Sequence, residues 1–524
     1  MAEHADTVGS QAQLITSLRS PMAYPHAVSA VDVVETHISW VLLTGSYAYK
    51  IKKAVKLEFL DFSSLEQRRH FCEEELQLNQ RWASDLYLEV VPICGSPEHP
   101  SVGGDGEVIE YAVKMAQFPQ SAQLDRQVDA GLLLENDVYS LAETVAHNHE
   151  SARIIEYADD RESVNKVSAP MLDNFAPVAK VIDMEILERV HQWTVQSLED
   201  LKPVLIERRK AGFVRECHGD LHLANLVRLQ SGIVAFDCVE FSAPLRNIDV
   251  ISDIAFLFMD LVARARQDLA AVFLDRYLEC TGDYAGMRVF GLYFVYHCLI
   301  RAKVAAIRSD ERADVVSRDQ DIDVLKHNLA VAARWIDRRP PLLIAMHGYS
   351  GSGKTWLSSQ LIAKLPAIRL RSDVERKRLR GLDRSSDKTS MAQSGKYTQR
   401  ARAEVYQRLF ETAEILLQEG LNVIIDASFL RKVDRAAAAA LAERHGIPIL
   451  FVETHAHDNE LMSRLKRREA AGSDASEADV DILRYQIASA DALAESEKKR
   501  TVSIATDQHV DADAVVKRIF DCRI

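Results

Sequence analysis

Two short groups of residues in this chain have the types and spacing that phosphate chemistry requires. The first is the octapeptide Gly-Tyr-Ser-Gly-Ser-Gly-Lys-Thr at positions 348–355. Its glycines let the backbone turn so that successive N–H groups face one anion. An apolar run precedes the octapeptide and a helical pattern follows it, so the positive end of a helix dipole would point at the same anion. Strand, glycine-rich loop and helix in this order are typical of a P-loop, which predicts a nucleotide-binding site.

The side chains of this loop have distinct expected roles. Lys354 is expected to reach the β- and γ-phosphates of the nucleotide and is a candidate catalytic residue. The Thr355 hydroxyl is expected to bind Mg²⁺. A chance glycine turn is the alternative, but the complete pattern in this setting favours a P-loop. The predicted nucleotide-binding residues of the loop are Gly348, Ser350, Gly351, Ser352, Gly353, Lys354 and Thr355.

The second group of polar residues lies upstream. His218, Asp220 and Asn225 have the spacing H-x-D-x-x-x-x-N, the pattern of the kinase catalytic loop with glycine in place of arginine. An apolar run then leads to Asp237, where a kinase carries its metal-binding aspartate. Asp220 would accept or orient the proton of a substrate hydroxyl, while Asn225 and Asp237 would hold Mg²⁺ against the phosphates. Each residue alone fits a loop or capping role, but the ordered set favours catalysis.

These residues resemble the aminoglycoside phosphotransferase-like branch of the protein-kinase fold, over about residues 30–335. The resemblance implies a two-lobed α+β fold with ATP bound between the lobes. It also implies that a lysine of an early strand, Lys50 or Lys52, contacts the α- and β-phosphates and pairs with Glu75. Lys50 fits the strand position better, but the choice is open, and a lysine-rich strand alone more often indicates a solvated sheet edge. The same pattern occurs in kinases of sugars, choline and other alcohols, so it predicts no particular substrate.

In the C-terminal part of the chain, predicted strands that end in carboxylates alternate with helical patterns. The run 367–372 predicts a strand that ends in Asp373. The run 421–425 leads to Asp426, which fits a Walker B carboxylate in the Mg²⁺ shell. Strands that alternate with helices indicate a parallel sheet covered on both faces. We therefore predict an α/β P-loop NTPase domain.

This part resembles small P-loop kinases of the AAA-type predicted-kinase group over about residues 341–510, and it is also similar to polynucleotide kinases, chloramphenicol phosphotransferase and zeta toxins. The resemblance implies that Asp373 activates the acceptor hydroxyl and that Arg376 binds substrate. Arginines on a helix expected over 459–471, before the polar loop 472–476, would form a lid that neutralises charge during transfer, or else a solvated basic face. The candidate lid residues are Arg464, Arg467 and Arg468.

The composition of the 524-residue chain is that of a globular protein, with 47% hydrophobic and 27% charged residues. A chain of this length is expected to form more than one domain. The formal net charge of −13 argues against extended nucleic acid and anionic membranes as partners. The seven cysteines are scattered singly, which indicates reduced thiols in a cytoplasmic protein. We expect no signal peptide and no membrane span, because neither a signal pattern nor a long uncharged apolar run is present.

Together these patterns and resemblances predict a protein-kinase-like two-lobed α+β domain followed by an α/β P-loop domain. Each is expected to transfer the γ-phosphoryl group of ATP or GTP, with Mg²⁺, to a hydroxyl of a small-molecule or nucleotide-like acceptor. The alternative is an N-terminal ligand-sensing or regulatory pseudokinase module that controls a C-terminal kinase similar to zeta toxins or polynucleotide kinases. The oligomeric state is left open. The predicted parts are an extension (1–29), a kinase-like domain (30–337), a linker (338–341) and a P-loop domain (342–524).

Overall fold

The chain divides into two compact units, each of which is made of two segments of the sequence. The first unit comprises Met1–Lys166 and Ile206–Asp260, and the second comprises Val167–Leu205 and Leu261–Ile524. The domain limits expected from the sequence stay predictions. The polar loop expected at 472–476 lies outside the described residues. The computed structural model describes residues 11–57, 60–157, 159–182, 185–379, 381, 395–471 and 480–522.

Strands dominate the beginning of the chain, helices follow, and the two alternate in the last third. Up to residue 263 the elements are α1 (11–17), β1 (Asp32–Glu35), β2 (Ser39–Leu43), β3 (Tyr47–Lys52), β4 (Lys56–Leu57), β5 (Leu60–Asp61), α2 (Leu65–Ala83), β6 (Tyr87–Ser96), β7 (His99–Val102), β8 (Val108–Ala116), α3 (Leu124–Asp129), α4 (Glu135–Ser151), α5 (Asp160–Asp173), α6 (Phe175–Val181), α7 (Glu185–Lys210), β9 (Val214–Glu216), β10 (Leu226–Leu229), β11 (Gly232–Ala235), α8 (Ala243–Arg246), β12 (Asn247–Asp249) and α9 (Val250–Ala263). The elements that follow are α10 (Gln267–Thr281), α11 (Met287–Glu311), α12 (Val315–Ile336), β13 (Leu343–His347), α13 (Lys354–Lys364), β14 (Ala367–Arg371), α14 (Ser372–Leu379), α15 (Gly395–Gln418), β15 (Asn422–Asp426), α16 (Lys432–Arg444), β16 (Ile449–His455), α17 (Asp458–Ala471), α18 (Val480–Ser489), α19 (Glu495–Lys498), β17 (Thr501–Ala505) and α20 (Ala512–Asp521).

The first unit is built around a six-stranded antiparallel sheet with the strand order β1-β2-β3-β8-β6-β7. Strands β2 and β3 form a hairpin, in which they pair from Ser39 opposite Lys52 to Leu43 opposite Ala48. Side chains alternate across a strand. Strand β3 accordingly places Tyr49 in a buried apolar cluster on one face and its two lysines on the other.

Helix α2 packs on this sheet and positions one buried carboxylate. The helix begins after Ser64, whose hydroxyl accepts a hydrogen bond from the Gln67 backbone N–H at 3.2 Å. Its Glu75 is 0% exposed, which is rare for a carboxylate that lacks a cationic partner. Further along the chain, two-stranded sheets form between β9 and β12 and between β10 and β11. The candidate catalytic loop lies between β9 and β10, and Asp237 follows β11 after one intervening residue.

The second unit contains a five-stranded parallel sheet with the order β14-β15-β13-β16-β17. Strand β13 lies at the centre and leads through the glycine-rich loop into α13. Apolar side chains from the sheet, α13 and α20 form one buried cluster. The predicted α/β P-loop architecture is therefore confirmed.

One predicted strand end is wrong. Strand β14 ends at Arg371, and Asp373 lies in the first turn of α14 instead of at the end of the strand. The first turn of a helix has N–H groups without helical partners and carries partial positive charge, so carboxylates are favoured there. Asp373 and Glu375 both occupy this turn, and they favour helix over continued strand.

Helices α10, α11 and α12 belong to the second unit although they precede the P-loop strand. Helix α10 contacts α13 and β14, while α11 and α12 pack against each other. Within the described residues, the helical stretch Tyr284–Glu311 is long and apolar enough to cross a membrane by length and composition alone. Inside the protein, 67% of its most apolar 18-residue window is buried, as in the core helix of a globular domain.

Candidate functional site

In the first unit, two lysines of β3 share one buried carboxylate. Lys50 Nζ lies 2.8 Å from Glu75 Oε1, and Lys52 Nζ lies 2.8 Å from Glu75 Oε2. Each lysine also contacts the segment that follows β11. Lys50 Nζ lies 2.5 Å from Asp237 Oδ1, and Lys52 forms an ion pair with Glu240. One ion network thereby joins β3, α2 and the segment that carries the candidate metal ligand.

The two lysines differ in exposure and in partner. The Lys52 side chain is 0% exposed, whereas that of Lys50 is 11% exposed. Of the two, Lys50 is the one that joins Glu75 to Asp237, as the resemblance to kinases implies. This geometry favours Lys50 as the phosphate contact, whereas Lys52 helps to hold Glu75 in position. Glu240 had no assigned role from the sequence, since it lies outside the kinase spacing pattern.

Carboxylates keep both lysines charged in spite of their burial. Burial lowers the pKa of Lys50, but Asp237 and Glu75 outweigh it and hold this pKa well above its usual value. Burial likewise lowers the pKa of Lys52, but the charges of Glu240 and Glu75 outweigh burial, so that this pKa is raised overall. Burial raises the pKa of Glu75, but the two lysines reverse the shift and lower it overall. The lysines and Glu75 are therefore ionised at neutral pH.

Asp253 of α9 positions the candidate catalytic loop. Its carboxylate accepts hydrogen bonds from the backbone N–H groups of His218, at 3.0 Å, and Gly219, at 2.9 Å. Gly219 has a φ of +84°, and a Cβ at this position would lie 2.7 Å from the Leu245 carbonyl oxygen. A larger residue would clash with this backbone. The close approach explains why glycine stands here where the kinase pattern has arginine.

Asp220 and Asn225 are in direct contact. Asn225 Nδ2 donates to Asp220 Oδ2 at 2.9 Å and to the Asp220 carbonyl oxygen at 3.0 Å. His222 Nε2 lies 3.4 Å from the same carboxylate, whose side chain is 40% exposed. Desolvation raises the pKa of Asp220, but the neighbouring histidines and the Asn225 amide outweigh it and lower this pKa below its usual value. An ionised, accessible carboxylate can accept a proton from a hydroxyl placed against it.

In the second unit, the backbone of the P-loop requires its glycines. Gly348, Gly351 and Gly353 have φ values of +143°, +80° and +89°, which side-chain-bearing residues rarely adopt. A Cβ on Gly348 would also lie 2.4 Å from the Thr454 carbonyl oxygen of β16. Ser352 Oγ lies 2.7 Å from Thr454 Oγ1, which ties the loop to the same strand. The loop is thus shaped by its backbone and by the neighbouring strand.

Lys354 lies folded over this loop. Its Nζ donates to the carbonyl oxygens of Gly348, at 3.0 Å, and Tyr349, at 2.8 Å. Burial lowers the pKa of Lys354, and the charges of Asp426 and Asp373 partly oppose this shift. The structure therefore brings the P-loop lysine within electrostatic reach of the carboxylates predicted as metal ligand and base.

The other predicted residues of this site lie around the lysine. Thr355 is exposed at the start of α13. Asp426 is 5% exposed and accepts a hydrogen bond from Ser358 Oγ at 3.3 Å. Arg376 donates to Asp373 Oδ1 at 2.6 Å, so the predicted substrate arginine pairs with the predicted base.

Both units offer oxygen donors of the kind that Mg²⁺ prefers. In the first unit these are the Asp237 carboxylate and the Asn225 amide oxygen. In the second they are the Asp426 carboxylate and the Thr355 hydroxyl. The donor sets fit Mg²⁺, which when bound would neutralise phosphate charge.

Another group of potential ligands is buried in the first unit. His149, Cys217 and Asp253 place ligand atoms within 4.8 Å of one another. The Asp253 carboxylate already contacts His149 Nε2 at 3.1 Å and accepts two hydrogen bonds from the catalytic loop. Burial raises the pKa of the Cys217 thiol well above its usual value, which disfavours the thiolate that metals bind. We therefore assign this group a structural role.

The three arginines of α17 are placed unequally. Arg464 donates to the carbonyl oxygens of Gly351, at 3.3 Å, and Thr506, at 2.8 Å, so it is attached to the P-loop. Arg468 lies near enough for its charge to lower the pKa of the P-loop lysine. Arg467 is 69% exposed. The structure thus brings two of the three candidate lid residues to the site.

Two contacts to the P-loop have no sequence signal. The Ser350 backbone N–H donates to Gln486 Oε1 of α18 at 2.8 Å. Thr506 Oγ1 donates to the Ser352 carbonyl oxygen at 2.8 Å. Only tertiary packing places Gln486 and Thr506 here, and neither belongs to a spacing pattern. A cavity of about 540 Å³ beside the loop is lined by His457, Asn459, Glu460, Arg464, Thr506, Asp507 and Gln508.

Residues 343–493 match a family model described as an AAA domain. This match confirms the AAA-type P-loop region expected from the sequence. Proteins of Mycobacterium tuberculosis and Mycobacterium bovis, each named only as an uncharacterized protein, are 29% identical to this chain over 449 residues. The alignments cover 85% of this chain and 88% of each relative.

Similar solved structures are named as kinases. A choline kinase from Cryptosporidium parvum is 12% identical with a TM-score of 0.37, and the match covers 59% of this chain and 90% of that one. The APS kinase of Mycobacterium tuberculosis is 21% identical with a TM-score of 0.26, covering 35% of this chain and 98% of that one. A gluconokinase from Sinorhizobium meliloti is 18% identical with a TM-score of 0.24, covering 36% and 91%.

Proposed function

We propose that the chain is a bifunctional phosphotransferase. Each unit would transfer the γ-phosphoryl group of ATP, with Mg²⁺, to a hydroxyl of a small-molecule or nucleotide-like acceptor. One observation carries this proposal: each unit places a buried lysine within electrostatic reach of acidic residues at the positions that phosphoryl transfer requires. Lys50 lies beside Asp237 in the first unit, and Lys354 lies near Asp373 and Asp426 in the second.

In the first unit, Asp220 would act on the acceptor. Its carboxylate is ionised and 40% exposed, so it can orient a hydroxyl and take its proton as the phosphoryl group arrives. Lys50 would release Asp237 and bind phosphate oxygens instead. A lysine forms charge-assisted hydrogen bonds with phosphate as it does with a carboxylate. Asn225 and Asp237 would hold the metal ion.

In the second unit, the P-loop backbone would hold the phosphates. Lys354 would leave the carbonyl oxygens of Gly348 and Tyr349 and bind phosphate oxygens, where its charge is neutralised. Asp373, released from Arg376, would take the proton of the acceptor hydroxyl. The cavity beside the loop would take the nucleoside.

The test measures ADP release and phosphate incorporation by the full-length protein. The acceptors are sugars, amino alcohols, nucleosides, oligonucleotide ends and aminoglycosides. Asp220→Asn is expected to abolish transfer to one set of acceptors, and Lys354→Ala to abolish transfer to another. Asp105→Asn, in an exposed loop of the first unit, and Lys364→Ala, at the end of α13, are matched controls. If either test variant leaves every transfer unchanged, the corresponding unit is not the phosphotransferase proposed.

A second candidate is a regulatory role for the first unit. The turn between β2 and β3 is poorly suited to bind phosphate through its backbone, because the Gly45 N–H already donates to Gln117 Oε1 at 2.8 Å. A unit that binds nucleotide or another ligand without transfer would then control the P-loop kinase. This candidate predicts that Asp220→Asn leaves all transfer intact, while Lys50→Met weakens nucleotide binding and changes the rate of the Lys354-dependent reaction.

A further inference from the structure

Helix α10 carries two carboxylates that are buried against the P-loop part of the second unit. Asp275 and Glu279 are each 2% exposed. Buried carboxylates are rare unless cations or hydrogen-bond donors meet them. Arg276 of the same helix forms an ion pair with Glu279, and the cations that face the helix from β14 are Arg369 and Arg371. No motif in the sequence pointed to these residues as a group.

The first contact is between α10 and the backbone of β14. Strand β14 lies at one edge of the parallel sheet, where some backbone N–H groups have no strand partner. Asp275 Oδ1 accepts a hydrogen bond from the Arg369 backbone N–H at 2.6 Å. Helix α10 therefore completes the edge of the sheet at this residue.

The second contact runs through the guanidinium group of Arg369, which is 4% exposed. Its Nη2 lies 3.5 Å from Glu279 Oε2 and 3.8 Å from Asp275 Oδ2. Its Nη1 donates to the Thr355 carbonyl oxygen at 3.4 Å. A buried guanidinium without these carboxylates would be strongly destabilising. Arg369 thus links α10 to the first turn of α13, which carries the predicted metal ligand.

The third contact joins the end of α10 to α14, the helix that carries Asp373. Arg378 Nη2 donates to the Glu279 carbonyl oxygen at 2.9 Å. Gly282, which follows α10, has a φ of +74°, and a Cβ there would lie 2.7 Å from Arg378 Nε. A glycine at this position lets the guanidinium approach the helix end. Helix α10 therefore contacts α13, which carries Thr355, and α14, which carries Asp373.

We propose that α10 is a positioning element of the P-loop site, in which Asp275 and Glu279 fix Arg369 and thereby the relative placement of Thr355 and Asp373. This proposal rests on the proposed phosphotransferase function of the P-loop. Metal coordination and in-line transfer depend on placement to within about 1 Å. The positioning residues touch neither nucleotide nor acceptor, so their loss is expected to change turnover and the Mg²⁺ requirement more than nucleotide affinity.

The test uses the full-length protein and the ADP release that Lys354→Ala removes. For Asp275→Ala we expect kcat to fall about 10-fold, a higher Mg²⁺ concentration for half-maximal rate, and a KM for ATP within about 3-fold of wild type. Asp275→Asn is expected to retain most of the activity, because its amide oxygen still accepts the Arg369 N–H bond. Asp268→Asn is the matched control, on the same helix but with a side chain that is 40% exposed.

Arg369→Lys is the second variant, because it keeps the buried charge but cannot bridge Thr355 and the two carboxylates at once. It is expected to show the same loss of kcat and the same increase in Mg²⁺ requirement. Thermal unfolding of each variant shows whether it is folded at the assay temperature. Wild-type kcat and Mg²⁺ dependence in folded Asp275→Ala and Arg369→Lys would overturn the positioning role alone. If Lys354→Ala removes none of the ADP release with any acceptor, the P-loop function and the positioning role are overturned together.

Discussion

The two candidate phosphate-binding lysines lie in opposite electrostatic surroundings. Lys50 sits between carboxylates of two elements, and these hold its pKa well above the usual value. Lys354 sits against backbone carbonyl oxygens, and burial lowers its pKa. The first lysine would exchange one anion for another when a nucleotide binds. The second would gain an anion that it lacks.

The two sites also differ in what gives them shape. In the first unit, ion pairs among side chains join β3, α2 and the segment after β11. In the second, glycine backbone conformations and a neighbouring strand shape the loop. We therefore expect charge substitutions to disrupt the first site through stability, and backbone substitutions to disrupt the second through nucleotide binding.

The largest effect is expected for Lys354→Ala. This change removes the cation that would face the transferred phosphoryl group, and the loss of one preorganised charge contact costs roughly 100- to 1000-fold in rate. The measurement is kcat of the reaction assigned to the second unit. Lys364→Ala, at the other end of α13, is expected to leave this rate unchanged, and equal loss in both variants would contradict a specific role for Lys354.

Glu75→Gln is expected to reduce stability strongly. It leaves Lys50 and Lys52 without their shared carboxylate, and removal of one partner from a buried ion pair costs roughly 3–5 kcal/mol. The free energy of unfolding of the first unit, from denaturant titration, measures this loss. Glu73→Gln lies on the same helix, with a side chain that is 52% exposed, and should have little effect. A similar small effect in both variants would show that the network does not stabilise the unit.

Gly348→Ala is expected to weaken nucleotide binding in the second unit. The added methyl group would lie 2.4 Å from the Thr454 carbonyl oxygen, and the φ of +143° is unfavourable for alanine. Backbone strain of this kind costs about 1–3 kcal/mol. Gly446→Ala is the control for the effect of a positive φ without a clash, because its φ is +61° but no atom lies within 4 Å of the added Cβ. Equal nucleotide affinity in the two variants would contradict the predicted clash.

The smallest expected effect is a difference between the two sites in how nucleotide affinity depends on pH. A lysine with a lowered pKa loses its proton at lower pH than a lysine with a raised one. Nucleotide affinity at the second site, measured in Lys50→Met, should therefore decline first as the pH rises from about 8 to 10, below the usual lysine pKa of about 10.4. Affinity at the first site, measured in Lys354→Ala, should persist to higher pH. The reverse order would contradict the surroundings described for the two lysines.

Local patterns were sufficient to predict much of the fold. The early strand that carries Lys50 and Lys52, the parallel sheet and the P-loop follow from periodicity, glycine spacing and the apolar strand that ends in Asp426. Asp373 was misplaced by two residues because a strand-like alternation of apolar and polar residues runs directly into an acidic helix start. The limits of the compact units could not be predicted, since they join segments that are distant in sequence.

The candidate sites were predictable where one motif holds the residues together. The choice between Lys50 and Lys52 needed the structure, because both lie on the same face of β3 and differ only in exposure and in their second partner. Gln486 and Asp275 could not be predicted from the sequence. Only tertiary packing brings Gln486 to the P-loop and Asp275 to β14. A buried carboxylate has no sequence signature apart from an acidic residue in an apolar helix.

The central claim of two separate nucleotide sites is tested most directly by binding stoichiometry. Calorimetric titration of the full-length protein with Mg²⁺ and a non-hydrolysable ATP analogue should give two nucleotides per chain. Lys50→Met and Lys354→Ala should each leave one, and the double variant should leave none. A single nucleotide per wild-type chain, unchanged by one of the two substitutions, would contradict the claim.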